Sequence, residues 1–149
     1  TAPKVNWFLH ARASRQHAEQ AQPEQGALRL RGEPYAPASR AAAERAGVRI
    51  VLQELNLIGN LMVAENIFLD QLPHRFGILD TRRLNAEART VMARVGLEHL
   101  APSLPVRLLG VGQQQLVEIA AALSRRCDVL ILDEPTAALT DAEVALLFA

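Results

Sequence analysis

Two adjacent acids, Asp133 and Glu134, follow directly on four apolar, β-prone residues, Val129–Leu132. A carboxylate at the end of a buried strand suits a cation, or a water to be activated. Upstream, Gly110 and Gly112 break the chain just before an amphipathic run of Leu116, Val117, Ile119, Ala120 and Leu123. A glycine-rich helix start suits an anion, because backbone N–H groups and the helix dipole point at it. A third group, Gln53, ends another apolar stretch, Val48–Leu52. Its amide can both accept from and donate to a metal-bound water without adding charge. Its plainer role is a polar strand-end residue capping a turn. Together the glycine-rich helix start and the acidic strand end read as parts of a nucleotide-handling site.

The elements that must position these residues are legible in part. Ala27-Leu28-Arg29-Leu30 alternates toward Gly32-Glu33-Pro34, which predicts a short strand and a turn. Ser39 is placed to cap a helix over Arg40–Ala46 that Gly47 stops. Val63–Leu69 reads as a helix with one apolar face, ended by Pro73, and His74–Asp80 as an irregular link. Leu84, Ala88, Val91, Met92 and Val95 recur at helical spacing up to Gly96. That stripe predicts core, and Arg82, Arg83, Glu87 and Arg89 a solvated opposite face. Pro102 and Pro105 mark a loop before the glycines, and Thr140-Asp141-Ala142-Glu143 has the form of a capping box.

The chain has 149 residues, half of them hydrophobic and 21% charged, a globular composition sized for one domain. Sixteen basic residues balance sixteen acidic ones, which gives no electrostatic case for nucleic acid as a partner. Cys127 stands alone, so no intrachain disulfide can form; its place beside an apolar strand predicts an inert thiol. The histidines do not sit at metal-ligand spacing with any Cys or acid, and predict surface positions. No apolar run approaches the roughly 20 residues that span a bilayer, and Trp7-Phe8-Leu9 is too short for a secretory core. Any membrane association is expected to go through a partner.

Leu109–Gln113 resembles the signature motif of ABC-type ATPases, and Val129–Glu134 their Walker B strand with its adjoining glutamate. The separation of Gln113 and Asp133, 20 residues by subtraction, also matches that family. Gln53-Glu54-Leu55-Asn56-Leu57 resembles the Q-loop of its carbohydrate importers, and Thr136–Thr140 their D-loop. Gln53–Leu69, Arg75-Phe76-Gly77 and Gly112–Ala120 look like the monosaccharide branch, of the ribose, galactose, xylose and arabinose kind, in the first of two fused ATPase halves.

The resemblance implies an α/β fold: a partial P-loop ATPase domain with a helical subdomain and an incomplete, mostly parallel sheet. On it, residues 23–55 are the core up to the Q-loop, 56–108 the helical subdomain, and 109–149 the signature helix, Walker B strand and D-loop. It implies ATP and Mg²⁺ as cofactors, with Glu134 and Gln53 catalytic and Asp133 and Gln53 at the metal. Leu109, Gly110, Val111, Gly112, Gln113 and Thr140 would touch nucleotide, the signature loop acting on ATP held by a second ATPase domain. The implied partners are that second domain, a transmembrane sugar permease and, indirectly, a periplasmic sugar-binding protein. The implied location is the cytoplasmic face of the inner membrane, peripherally bound.

Three departures stand beside the resemblance. A Walker A loop needs Gly-x-x-x-x-Gly-Lys-Ser/Thr, yet Lys4 is the only lysine and no Gly-Lys pair occurs. Family spacing puts that loop near Asn6–Arg12, so residues 1–22 are expected to be atypical. Gly110 stands where the signature usually has serine, and the chain ends before a switch histidine. A fragment lacking pieces at both ends is therefore expected, inactive alone. The alternatives are a non-catalytic piece that contacts a permease or a partner ATPase domain, and a damaged product that folds only in part.

Overall fold

The computed structural model describes residues 28–51 and 55–132. Gln53, Asp133, Glu134, Thr140 and the segment over residues 1–22 lie outside that range.

The described chain opens with a hairpin, β1 (Arg29–Leu30) and β2 (Glu33–Pro34), paired antiparallel. Arg31 and Gly32 turn it with φ of 56° and 84°, the double positive φ that matches the twist of a two-residue hairpin. Helix α1 (Arg40–Ala46) follows with both expected caps. The Ser39 hydroxyl accepts from the Ala42 N–H at 3.2 Å, and Gly47 closes the helix at φ 97°. Strand β3 (Val48–Val51) leaves directly from that cap.

Helix α2 (Val63–Ile67) is short and buried on nearly every side. Its first-turn donors are satisfied by a distant loop: Val63 N–H donates to the Leu104 carbonyl and Ala64 N–H to that of Pro102, both at 2.9 Å. Pro102 thus does more than mark a loop; it is fully buried and presents its carbonyl to a helix end. The link expected over His74–Asp80 to be irregular is instead a second hairpin, β4 (His74–Arg75) against β5 (Ile78–Leu79). Phe76 and Gly77 turn it with positive φ. A phenylalanine is disfavoured there, which is why the sequence does not announce the turn.

Helix α3 (Thr81–Ala93) starts where the Asp80 carboxylate accepts from the Arg83 N–H at 3.0 Å. Its stripe Leu84, Ala88, Val91 and Met92 is buried, with Val95 just beyond, and Arg82, Arg83 and Arg89 face solvent. After a 3₁₀ turn (Val106–Leu108), helix α4 (Val111–Leu123) buries Leu116, Val117, Ile119 and Ala120. Helices α2, α3 and α4 close on one another around Ile67, Met92, Leu97, Val106, Val117 and Ile119, all essentially inaccessible to solvent. Burying side chains of this size contributes on the order of 1.5–3 kcal/mol each.

Strand β6 (Val129–Leu132) then pairs with β3, parallel and in register from Val48↔Val129 to Val51↔Leu132. This two-stranded parallel ladder, with helices packed on it, is the α/β core expected, and small as expected among the described residues. Gly47 sets the entry of both strands. Its carbonyl accepts from the N–H groups of Asp128 (2.7 Å) and Val129 (3.1 Å). A Cβ at Gly47 would run into the Asp128 carboxylate, which is also flanked by Arg31 and, at 3.4 Å, Arg126.

Candidate functional site

The register of the parallel pair sets where its two strands end. Val51 lies beside Leu132, so both strands end at the same edge of the ladder. Gln53 is two residues beyond the first end, and Asp133 and Glu134 come immediately after the second. Ligands of open parallel sheets bind outside the carboxyl ends of their strands, and paired strands lie about 4.8 Å apart. Gln53 and Asp133, 80 residues apart by subtraction, thus follow in sequence on two strands that are neighbours in the ladder.

The glycine-rich helix start lies within the described residues. Leu109 is buried in the helical core, 7% exposed, and anchors the loop; it turns no side chain outward. Gly110 is the N-cap of α4, extended at φ −64° and ψ 159°. The two glutamines that follow fold back over the turn. The Gln113 amide oxygen accepts from the Gly110 N–H at 3.3 Å, and the Gln114 amide donates to the Leu109 carbonyl at 2.9 Å. Val111, Gly112 and Gln113 form the first helical turn, where N–H groups have no intrahelical acceptor. Gly110 and Val111 are solvent-exposed. A Cβ on Gly110 would meet nothing within 4 Å among the described residues. The turn is thus closed by its own glutamine side chains, open to solvent and lined by backbone donors.

Behind this start, the chain that leaves β3 is held by side chains to which the sequence reading assigned no role. Asn66 on α2, 7% exposed, reaches back to residues 58–62. Its oxygen accepts from the Ile58 N–H at 2.8 Å, and its nitrogen donates to the carbonyls of Met62, Ile58 and Leu61 at 3.0, 3.2 and 3.4 Å. Glu118, on α4, accepts from the backbone N–H of Asn56. The signal for Asn66 was available: a polar side chain amid Val63, Ala64, Ile67 and Phe68, on the face that must be buried. Glu118, by contrast, looks like an ordinary polar position on an amphipathic helix.

Glu118 also lines a cleft of about 290 Å³ beside Val51, with Arg40, Arg49, Asp70 and Arg125 on its walls. Burial pushes the Glu118 carboxyl above the usual carboxylate range, and the bond from Asn56 partly offsets that. The cleft's charges are largely paired: Arg40 and Arg49 with Glu44 at 2.9 and 3.6 Å, and Arg125 with Asp70 at 2.6 Å. Burial likewise raises the pKa of the Cys127 thiol, so it stays protonated and unreactive at neutral pH. His74 and His99 are exposed, and no group of three or more metal-ligating side chains occurs among the described residues. Nor is any described helix long and apolar enough to cross a membrane.

Residues 16–137 match the family model described as ABC transporter. The chain belongs to the ABC transporter family. A ribose/galactose/methyl galactoside import ATP-binding protein of Burkholderia cenocepacia is 50% identical over 126 residues. That match covers 85% of this chain and 24% of the relative. An arabinose import ATP-binding protein of the same organism is 46% identical over 127 residues, with the same two shares. A xylose import ATP-binding protein of Moorella thermoacetica is 46% identical over 123 residues, 83% of this chain and 24% of that protein. The chain thus spans about a quarter of the length of these relatives. Among solved structures, cbiO1 of Clostridium perfringens, part of the ABC transporter complex cbiONQ, aligns with a TM-score of 0.66 at 25% identity. It covers 89% of this chain and 54% of that one. The partial ATPase fold is therefore the fold of this ABC chain.

Proposed function

We propose that this chain is part of the ATP-binding, ATP-hydrolysing subunit of a bacterial sugar importer, coupling hydrolysis to monosaccharide uptake. The observation that supports this is the parallel, in-register pairing of β3 and β6, because Gln53 follows the first strand by two residues in sequence and Asp133–Glu134 follow the second directly. The identity shared with ribose/galactose, arabinose and xylose import proteins supports the substrate class.

The residues present fit a magnesium nucleotide in two of three respects. Asp133 and Gln53 have the chemistry to hold Mg²⁺ through water, since that ion dehydrates reluctantly. Glu134 would accept from the attacking water and orient it, which is most of the protein's task in phosphoryl transfer. The first turn of α4, with Gly110, Val111, Gly112 and Gln113, would donate backbone N–H groups to phosphate oxygens presented by a second ATPase domain, and Thr140 would lie near that junction. The third part does not fit: the 149 residues hold no Gly-x-x-x-x-Gly-Lys-Ser/Thr cradle. Bound nucleotide would supply the phosphoanhydride whose cleavage drives transport. The proposed partners are the second ATPase domain, a membrane permease and, through it, a sugar-binding protein. The proposed location is the cytoplasmic face of the inner membrane.

The missing cradle also favours a second reading, in which this stretch only completes a partner's site or contacts a permease. ATP titration of the 149-residue chain is expected to give affinity weaker than millimolar, and saturable micromolar binding would refute the assignment of a missing cradle. Joined to an upstream phosphate-binding loop, the protein should hydrolyse ATP and lose that activity on Glu134→Gln. An inert protein with Glu134 intact would leave the non-catalytic reading standing.

A further inference from the structure

The chain that follows Gln53 is not a loose connector. Between residues 56 and 62 it is held from at least three directions among the described residues. Asn66 on α2 grips Ile58, Leu61 and Met62. The loop before α4 takes two more points, where Val106 N–H donates to the Leu61 carbonyl at 3.0 Å and Arg107 N–H to that of Gly59 at 2.9 Å. The third hold is the Glu118 carboxylate, which takes the Asn56 N–H and is the one nearest Gln53.

We propose that Glu118 is a positioning residue: its bond to the Asn56 N–H makes the segment after Gln53 and the signature helix move as one body. Glu118 stands eight residues, by subtraction, from Gly110 on the same helix, about 12 Å at 1.5 Å per residue. Helix α4 therefore links the loop that would meet a partner's nucleotide to the exit of β3, where Gln53 would meet water and metal. The two other holds act on residues 58–62 and come from α2 and the preceding loop, so neither ties Asn56 to α4. A backbone N–H donating to a carboxylate is about twice as strong as a neutral bond. This role rests on the ATPase reading above; the bond itself does not.

Amide hydrogen exchange on the 149-residue chain tests the bond. Glu118→Ala should speed exchange at Asn56 about tenfold. Glu118→Gln, which keeps an acceptor oxygen at the same reach, should restore most of the protection. Unchanged Asn56 exchange in Glu118→Ala would overturn the proposal, whatever the ATPase assays give. In the full-length protein assembled with its permease, Glu118→Ala should lower kcat for transport-coupled ATP turnover severalfold with KM little changed, and Glu118→Gln should stay near wild type. Lost protection at Asn56 with undiminished turnover would refute the positioning role. A wild-type assembly without ATPase activity would overturn the function proposed above and this role with it, while the exchange result would still decide the bond.

Discussion

Asn66 offers a sharp test of how the chain beyond β3 is held, because its replacements make unlike demands on the same atoms. Asn66→Ala removes one acceptor and one amide donor group. The carbonyls they served are not stranded: Leu61 N–H still donates to Ile58, Val106 N–H to Leu61, and Asn66 N–H to Met62, each at 3.0 Å. The loss falls on the Ile58 N–H, whose side-chain acceptor disappears. One part-buried donor without a partner, plus a small void, costs about 2 kcal/mol. Asn66→Asp is nearly isosteric and keeps the acceptor for Ile58. It also turns a carboxylate oxygen toward the carbonyls of Ile58, Leu61 and Met62, where the amide nitrogen now donates. Repulsion among these oxygens in a site only 7% exposed should make the aspartate the worse variant at neutral pH, by a further ~1–2 kcal/mol. Acidification should narrow the gap, because a protonated carboxyl can donate to one of the carbonyls. Urea unfolding followed by far-ultraviolet circular dichroism measures both variants, with an unchanged m-value confirming that the midpoint shift reports stability. An aspartate variant as stable as the alanine at neutral pH would refute this account of the amide's orientation.

Three further outcomes follow from the same geometry. Gly47→Ala should cost about 2–3 kcal/mol, combining the left-handed conformation with displacement of the Asp128 carboxylate from Arg31 and Arg126. Gly32→Ala, at positive φ with nothing within 4 Å, should cost only about 1 kcal/mol, and equal thermal shifts in the two variants would discredit the Asp128 contact. Gly110→Ser should be accommodated without strain and stabilise α4 by a few tenths of a kcal/mol as its N-cap; if nucleotide is closed over from this turn, it should also tighten ATP-dependent dimerisation of the intact protein. Glu118→Gln should alter the pH dependence of stability. The folded state binds the Glu118 proton more readily than the unfolded chain, so wild-type stability falls as pH rises from the ordinary carboxylate range through the raised folded value. The stability of the glutamine variant relative to wild type should therefore be greatest at neutral pH and decline on acidification, and a difference independent of pH would contradict the burial of that carboxyl.

The parts legible in the sequence are those in which one local rule suffices. Ser39 and Gly47 bracket α1 because a hydroxyl at the N-cap and a left-handed glycine at the C-cap are chemical necessities within a few residues of each other. The stripe of α3 is readable because burial on one face imposes the helical period directly. The pairing of β3 with β6, by contrast, joins residues about 80 apart in sequence. The family resemblance implied a mostly parallel sheet without pairing these two strands, since an apolar tetrapeptide does not name its neighbour. The hairpin at Phe76 escaped for the opposite reason: the local rule argues against a positive φ at phenylalanine. Its two short strands pair nonetheless, Arg75 opposite Ile78, and the Arg75 guanidinium stands 5.6 Å from the Phe76 ring centre.

The candidate site divides along the same line. Gly110 to Gln113 could be placed at a helix start because glycines followed by an amphipathic run define one. That Gln113 and Gln114 spend their side chains closing that turn could not be read, because it depends on how a rigid cap fixes two rotamers. Asn66 and Glu118 lay in the stretches that carry the family resemblance, yet their work is to hold backbone groups that are neighbours only after folding. A motif names the residues that meet the ligand. The residues that keep the motif's parts in a fixed relation satisfy main-chain donors wherever the chain happens to pass, and any position with a suitable acceptor can serve. Glu118 meets that condition at Asn56, closer in sequence to Gln53 than the residues Asn66 holds, which is why motion there should bear on Gln53 more than motion at Asn66.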